Sequence, residues 1–273
     1  MTRLSRRIAC AILASPFSIA PAFADTTLQY QVAGEKAPQS LFVKDGQVLI
    51  KSAGGDGELD ILFNRSRNAA FLIDHRKQAY MPVTEQRVAE LVSQVQDVQP
   101  LLRGLGEQLK KVSPEQRAKW SDILGGVDLD RITAKSEDSR PIVLAQVGTA
   151  KTQGGYACSK VELRQGGDKK GDICLASAET LKLPAGDYET LRAMLLFSSR
   201  IAEKAKGVAA RYVDLGPLPT VNLTEYPGIP VELHDASSQQ AATLTLSRVN
   251  SDVFPPGVMA IPESYAAKKL KFW

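Results

Sequence analysis

The chain offers few residues for metal or thiol chemistry: two histidines, His75 and His234, and three cysteines, Cys10, Cys158 and Cys174, among 273 residues. Zinc and iron–sulfur sites need clusters of such ligands, so neither a metal site nor a cofactor is expected. A serine hydrolase needs a nucleophile, a base and an orienting acid, yet no G-x-S-x-G occurs. His75 opens the polar turn His75-Arg76-Lys77. His234 stands near a strand end beside Asp235, but neighbours along a strand point to opposite faces, so that acid is badly placed to orient the ring. Both read as surface histidines. Thirty acidic residues contain pairs able to do acid–base work on sugars, and spacing selects none of them. Gly54-Gly55-Asp56-Gly57-Glu58 lacks the Lys-Ser/Thr of a phosphate loop and the ligand spacing of a calcium loop, and reads as a hairpin turn. No catalytic residue is expected.

Cys158 and Cys174 are different, because their spacing carries geometry. Their midpoint is Gly166, within Gln165-Gly166-Gly167, and glycine suits a tight hairpin loop. Folding the chain there sets Cys158 opposite Cys174, Lys160 opposite Asp172, Glu162 opposite Lys170 and Arg164 opposite Asp168, with Val161, Leu163, Ile173 and Leu175 on the other face. The pair could be redox-active, but no CxxC motif is present and a structural disulfide is the simpler expectation.

That disulfide needs an oxidising compartment, and the N-terminus supplies the route. Arg3, Arg6 and Arg7 precede an apolar run from Ile8 to Ala24 that ends Ala22-Phe23-Ala24, the pattern of a signal peptide cleaved after Ala24. Pro16 and Pro21 make this run a poor membrane anchor. Cys10 departs with it, and its surroundings do not match a lipoprotein site. Processing removes three arginines and no acid, so formal charge falls from +4 to +1, 31 cations against 30 acids. A nearly neutral chain without an aromatic-interleaved basic run is not expected to bind nucleic acid. Residues 1–24 are thus read as the signal and 25–273 as one periplasmic or secreted domain without a transmembrane segment.

The elements that must position these residues are mainly strands. Leu28 to Val32, Leu41 to Lys44, Gln47 to Lys51, Leu59 to Phe63, Ala70 to Asp74 and Ala79 to Val83 form a meander, broken at Asp45-Gly46, Gly54 to Gly57, Asn64 to Asn68 and His75 to Lys77. From Val88 to Val112 apolar residues recur at steps of three and four, a helical seam interrupted by Pro100 and weakened by Gly104 and Gly106. It could dimerise as a coiled coil or pack on its own sheet. Ser113-Pro114-Glu115 starts a short helix carrying Trp120 and ending at Gly125-Gly126. Strands resume at Ile142 to Val147, the disulfide hairpin, Val231 to Asp235 and Ala242 to Val249. Asp187 to Val208 is helical, with enough apolar surface at Met194, Leu195, Leu196 and Phe197 to be buried on more than one side. The tail Lys268 to Trp273 mixes cations with apolar groups, and either touches an anionic membrane or docks on its own domain. The fold class is α+β, a large antiparallel sheet covered by helical insertions.

Three stretches together resemble a known family. They are Ile73-Asp74 with Tyr80 leading into the long helix; Tyr156-Ala157-Cys158-Ser159-Lys160 with Ile173-Cys174; and Gly228-Ile229-Pro230-Val231 through Phe254-Pro255-Pro256. The chain resembles a bacterial family of exported proteins carrying a domain of unknown function, similar in fold to periplasmic lipoprotein carriers and outer-membrane lipoprotein receptors. The resemblance implies a curved antiparallel sheet, an incomplete barrel, closed by helices over an apolar cavity that accepts acyl chains. Met194, Leu195, Leu196 and Phe197 would then face a lipid or a lipoprotein acyl chain. The alternative is an interaction or structural module with a solid core, holding an envelope protein by a helical insertion or an exposed sheet edge.

Overall fold

The structure is a computed structural model that describes residues 25–34, 37–51, 58–94, 113, 142–152, 154–205, 223–235 and 243–269. The first six strands are β1 Asp25–Val32, β2 Gln39–Lys44, β3 Gln47–Ile50, β4 Leu59–Asn64, β5 Ala69–Asp74 and β6 Ala79–Val83. Residues 85–94 are helical (α1). Then follow β7 Ile142–Lys151, β8 Ala157–Gln165, β9 Asp168–Ala176, α2 Ala178–Leu181, α3 Ala185–Ala205, β10 Ile229–Asp235, β11 Thr243–Asp252 and β12 Ala266–Ala267. The expected strands are present, several extended by a residue or more. The expected signal peptide, the Gly54 to Gly57 loop, the seam beyond residue 94 and the Trp120 helix lie outside the described residues.

All twelve strands join one sheet in the order β12-β6-β5-β4-β3-β2-β1-β11-β10-β9-β8-β7, and it does not close into a barrel. Every pairing is antiparallel except that of β12 with β6. Period-two alternation gives the sheet two faces. On one lie Leu28, Tyr30, Val43, Val48, Phe63, Val161, Ile173, Val231 and Leu246, the main core. Helix α3 packs on this face against β2, β3 and β10, and the Phe63 and Phe197 rings lie 5.4 Å apart. Its buried residues Thr190, Leu191, Met194, Leu195, Phe197 and Ser199 cover more than half of the helix circumference at 3.6 residues per turn, as the sequence required.

The loop entering β10 is tied to α3 by one cation. Arg192 donates to the carbonyls of Tyr226 (2.9 Å), Gly228 (3.3 Å) and Leu223 (3.2 Å). Gly228 is held at φ +135°, and a Cβ there would lie 2.8 Å from that of Leu175, so this crossing needs a residue without a side chain.

Candidate functional site

The disulfide joins Cys158 to Cys174, with Cα atoms 5.4 Å apart. The register differs from expectation. Lys160 pairs with Cys174, Glu162 with Asp172 and Arg164 with Lys169, so the cysteines are diagonal rather than direct neighbours. The cause is the turn: Gly166 (φ 59°) and Gly167 (φ 95°) form a two-residue loop between Gln165 and Asp168, and a bulge between Leu163 and Arg164 then absorbs one residue. The net displacement is two residues beyond the bulge, where each side chain keeps its face, and one residue at the tip, where Lys169 takes the face expected of Lys170 and Asp168 pairs with Gln165 instead of Arg164. Lys160 reaches Asp172 diagonally (3.3 Å), while Glu162 pairs with Arg164 (2.6 Å) and Lys169 (3.5 Å), not Lys170. Val161, Leu163, Ile173 and Leu175 all enter the core. Burial would raise Asp172, but Lys169 and Lys160 hold it below the usual carboxylate range.

Met194, Leu195 and Phe197 are 5%, 8% and 3% exposed and belong to the main core. Leu196 is half-buried. Three of the four residues expected to face a ligand are thus packed among side chains of the sheet. At the start of the same helix Asp187 accepts from the buried Thr26 hydroxyl (2.5 Å). Burial pushes its carboxyl above the usual range, and that hydrogen bond offsets only part of the rise.

The two histidines have partners that sequence reasoning missed. His75 lies between Asp60 (Nε2 to Oδ2, 3.0 Å) and Tyr265 (Nδ1 to hydroxyl, 2.9 Å). Tyr265 is 190 residues away, too far for any local pattern to signal. His234 meets Glu232 (2.8 Å), two residues back and on its own face. Among the described residues no group of three or more His, Cys, Asp or Glu side chains could hold a metal ion. An open polar hollow of about 510 Å³ lies beside α1, lined by Thr84, Arg87, Glu90 and Lys269 among others.

The sheet ends at β7, and among the described residues β8 is its sole strand neighbour. From Ile142 to Ala150 this strand has no charged side chain. Val143 is 58% and Val147 49% exposed, and Ile142 is exposed too. A bulge between Gln146 and Gly148 leaves Val147 without a partner on β8, and the Leu144 carbonyl accepts from the Tyr226 hydroxyl at 2.9 Å. The expected strand from Ile142 to Val147 runs on past this bulge to Lys151. No protein-family model matches the chain, and a search of the curated proteins finds no match.

Proposed function

We propose that this chain is a non-catalytic binding protein of the cell envelope, one domain after signal removal, which holds an extended segment of a protein partner along β7. The carrying observation is the edge itself: a ten-residue strand, uncharged through Ala150, with exposed valines and, among the described residues, a strand neighbour on one side alone. An unpaired edge presents backbone donors and acceptors, and an added strand satisfies them while its side chains pack beside Val143 and Val147. The disulfide supports an oxidising compartment. No helix among the described residues is long and apolar enough to cross a membrane.

A second reading, transport of a lipid or lipoprotein acyl chain, is favoured by the unclosed sheet with an apolar helix laid across it. It requires the side chains of Met194, Leu195 and Phe197 to move aside, together with Leu196, for the ligand. That would cost core packing.

Native mass spectrometry after gentle extraction from the export compartment separates the two readings. A stoichiometric protein supports the edge, and lipid without protein supports the carrier. Replacing Val143→Lys and Val147→Lys should abolish partner capture while changing stability by about 0.5 kcal/mol each or less, because both side chains are largely exposed. Undiminished capture by this variant would remove the edge from consideration.

A further inference from the structure

The second face of β3 to β6 carries its own apolar cluster of Leu49, Leu62, Ala69, Phe71 and Ile73, separate from the main core. The C-terminal segment covers it with Val258, Met259, Ile261 and Tyr265. This strap is fastened at both ends. At its start the Phe254 N–H donates to Asp25 (2.8 Å), and the Phe254 ring meets Phe42 edge-on at 5.3 Å. At its end Ala266 and Lys268 N–H groups donate to the Gln78 and Tyr80 carbonyls (3.0 and 2.8 Å), and Tyr265 meets His75. Between the fastenings Pro255, Pro256 and Gly257 are exposed, with Gly257 at φ +85°.

Three properties combine here. The strap's apolar side chains lie in the second cluster and not in the main core, so it can leave without opening that core. Its far end is a two-residue strand, a side-chain contact and a few apolar groups. Its hinge is short, exposed and rich in proline, and prolines limit how the chain on either side can bend.

We propose that the strap exchanges between two copies of this chain, segment 258–267 of each lying on the β3 to β6 face of the other, with Pro255-Pro256-Gly257 as the hinge. The occupant of that face is already seated in the monomer, and a second copy offers the same groups in the same places. Exchange therefore gives up the hinge's own hydrogen bond from the Val258 N–H to the Pro255 carbonyl (3.3 Å) but preserves the contacts of the strap with that face, including Tyr265 on the His75–Asp60 pair, and changes only which chain supplies them.

Ala266 pairs with Ala79, which supplies the test. Full-length chains carrying either Ala79→Cys or Ala266→Cys are mixed, concentrated and oxidised. A covalent dimer bridged between the two unlike positions, located by mass mapping, can arise only in trans. Adding His75→Ala should speed its appearance by about three- to tenfold, the effect of losing one typical hydrogen bond. The chain carrying both substitutions should close the same bridge within itself when dilute. If it does so while the mixture stays monomeric, or gives only bridges between like positions, exchange is refuted. Failure of the doubly substituted chain to bridge would refute the seating of the strap, and exchange with it.

Discussion

Asp172 and Asp187 are acids whose surroundings move them in opposite directions. Asp172, on the disulfide face, is held down by Lys169 and Lys160 against its burial. Its folded value lies below 3.8, so its contribution to stability is present above that pH and is lost as pH falls through the folded value. Asp187 is raised by burial at the start of α3. Its contribution is therefore present below 3.8 and is lost as pH rises through the folded value. Urea unfolding of the parent and the variants Asp172→Asn and Asp187→Asn, between about pH 3 and pH 6, reads both signs. The stability of the parent relative to Asp172→Asn should rise with pH, and relative to Asp187→Asn it should fall. Slopes of the same sign would contradict these environments.

At the scale of elements the disulfide hairpin shows what a sequence can and cannot reveal. The faces of β8, and of β9 from Gly171 onward, were legible because apolar and charged residues alternate and a displacement of two residues leaves that alternation intact, whereas the bulge that reverses Asp168 to Lys170 leaves no sign in the sequence. The register was not legible, because charge pairing works diagonally almost as well as directly, as Lys160 and Asp172 show. The strands of the first meander were readable from their turns; the Asp45-Gly46 turn, for example, adopts positive φ at both residues. Contacts made across the sheet were not readable. The Arg192 clamp, the His75 partners and β12 each join segments whose proximity is a product of topology. The bridge itself should behave as a staple. Replacing both cysteines by alanine should lower the unfolding free energy by up to about 3 kcal/mol, read from chemical denaturation, because the bridge closes a short loop in the unfolded chain. Partner capture should survive. A loss of capture at unchanged stability would instead mark the pair as functional.

At the scale of the molecule, the sheet formed by the described residues is two meanders joined along one line. Strands β2 to β6 hang from one side of β1, and β11 with β10, β9, β8 and β7 hangs from the other. Leu28, Tyr30 and Leu246, all buried, flank that seam. Their amides should exchange with solvent only through global unfolding, at the slowest rates in the chain, whereas those of Ala266 and Lys268 should exchange through local opening of the strap. Faster exchange at the seam than in β4 and β5 would mean that the halves separate independently. The seam also imposes an order on biogenesis. Asp25 pairs with Asp252, so β1 leaves the ribosome long before the strand it pairs with. Until β11 arrives, the chain presents an incomplete sheet with an apolar face and an open central edge, and such long-range closure is slow. A chain built this way is most exposed to aggregation in the interval when the apolar residues of β1 to β10 have arrived and the strand that joins its halves has not.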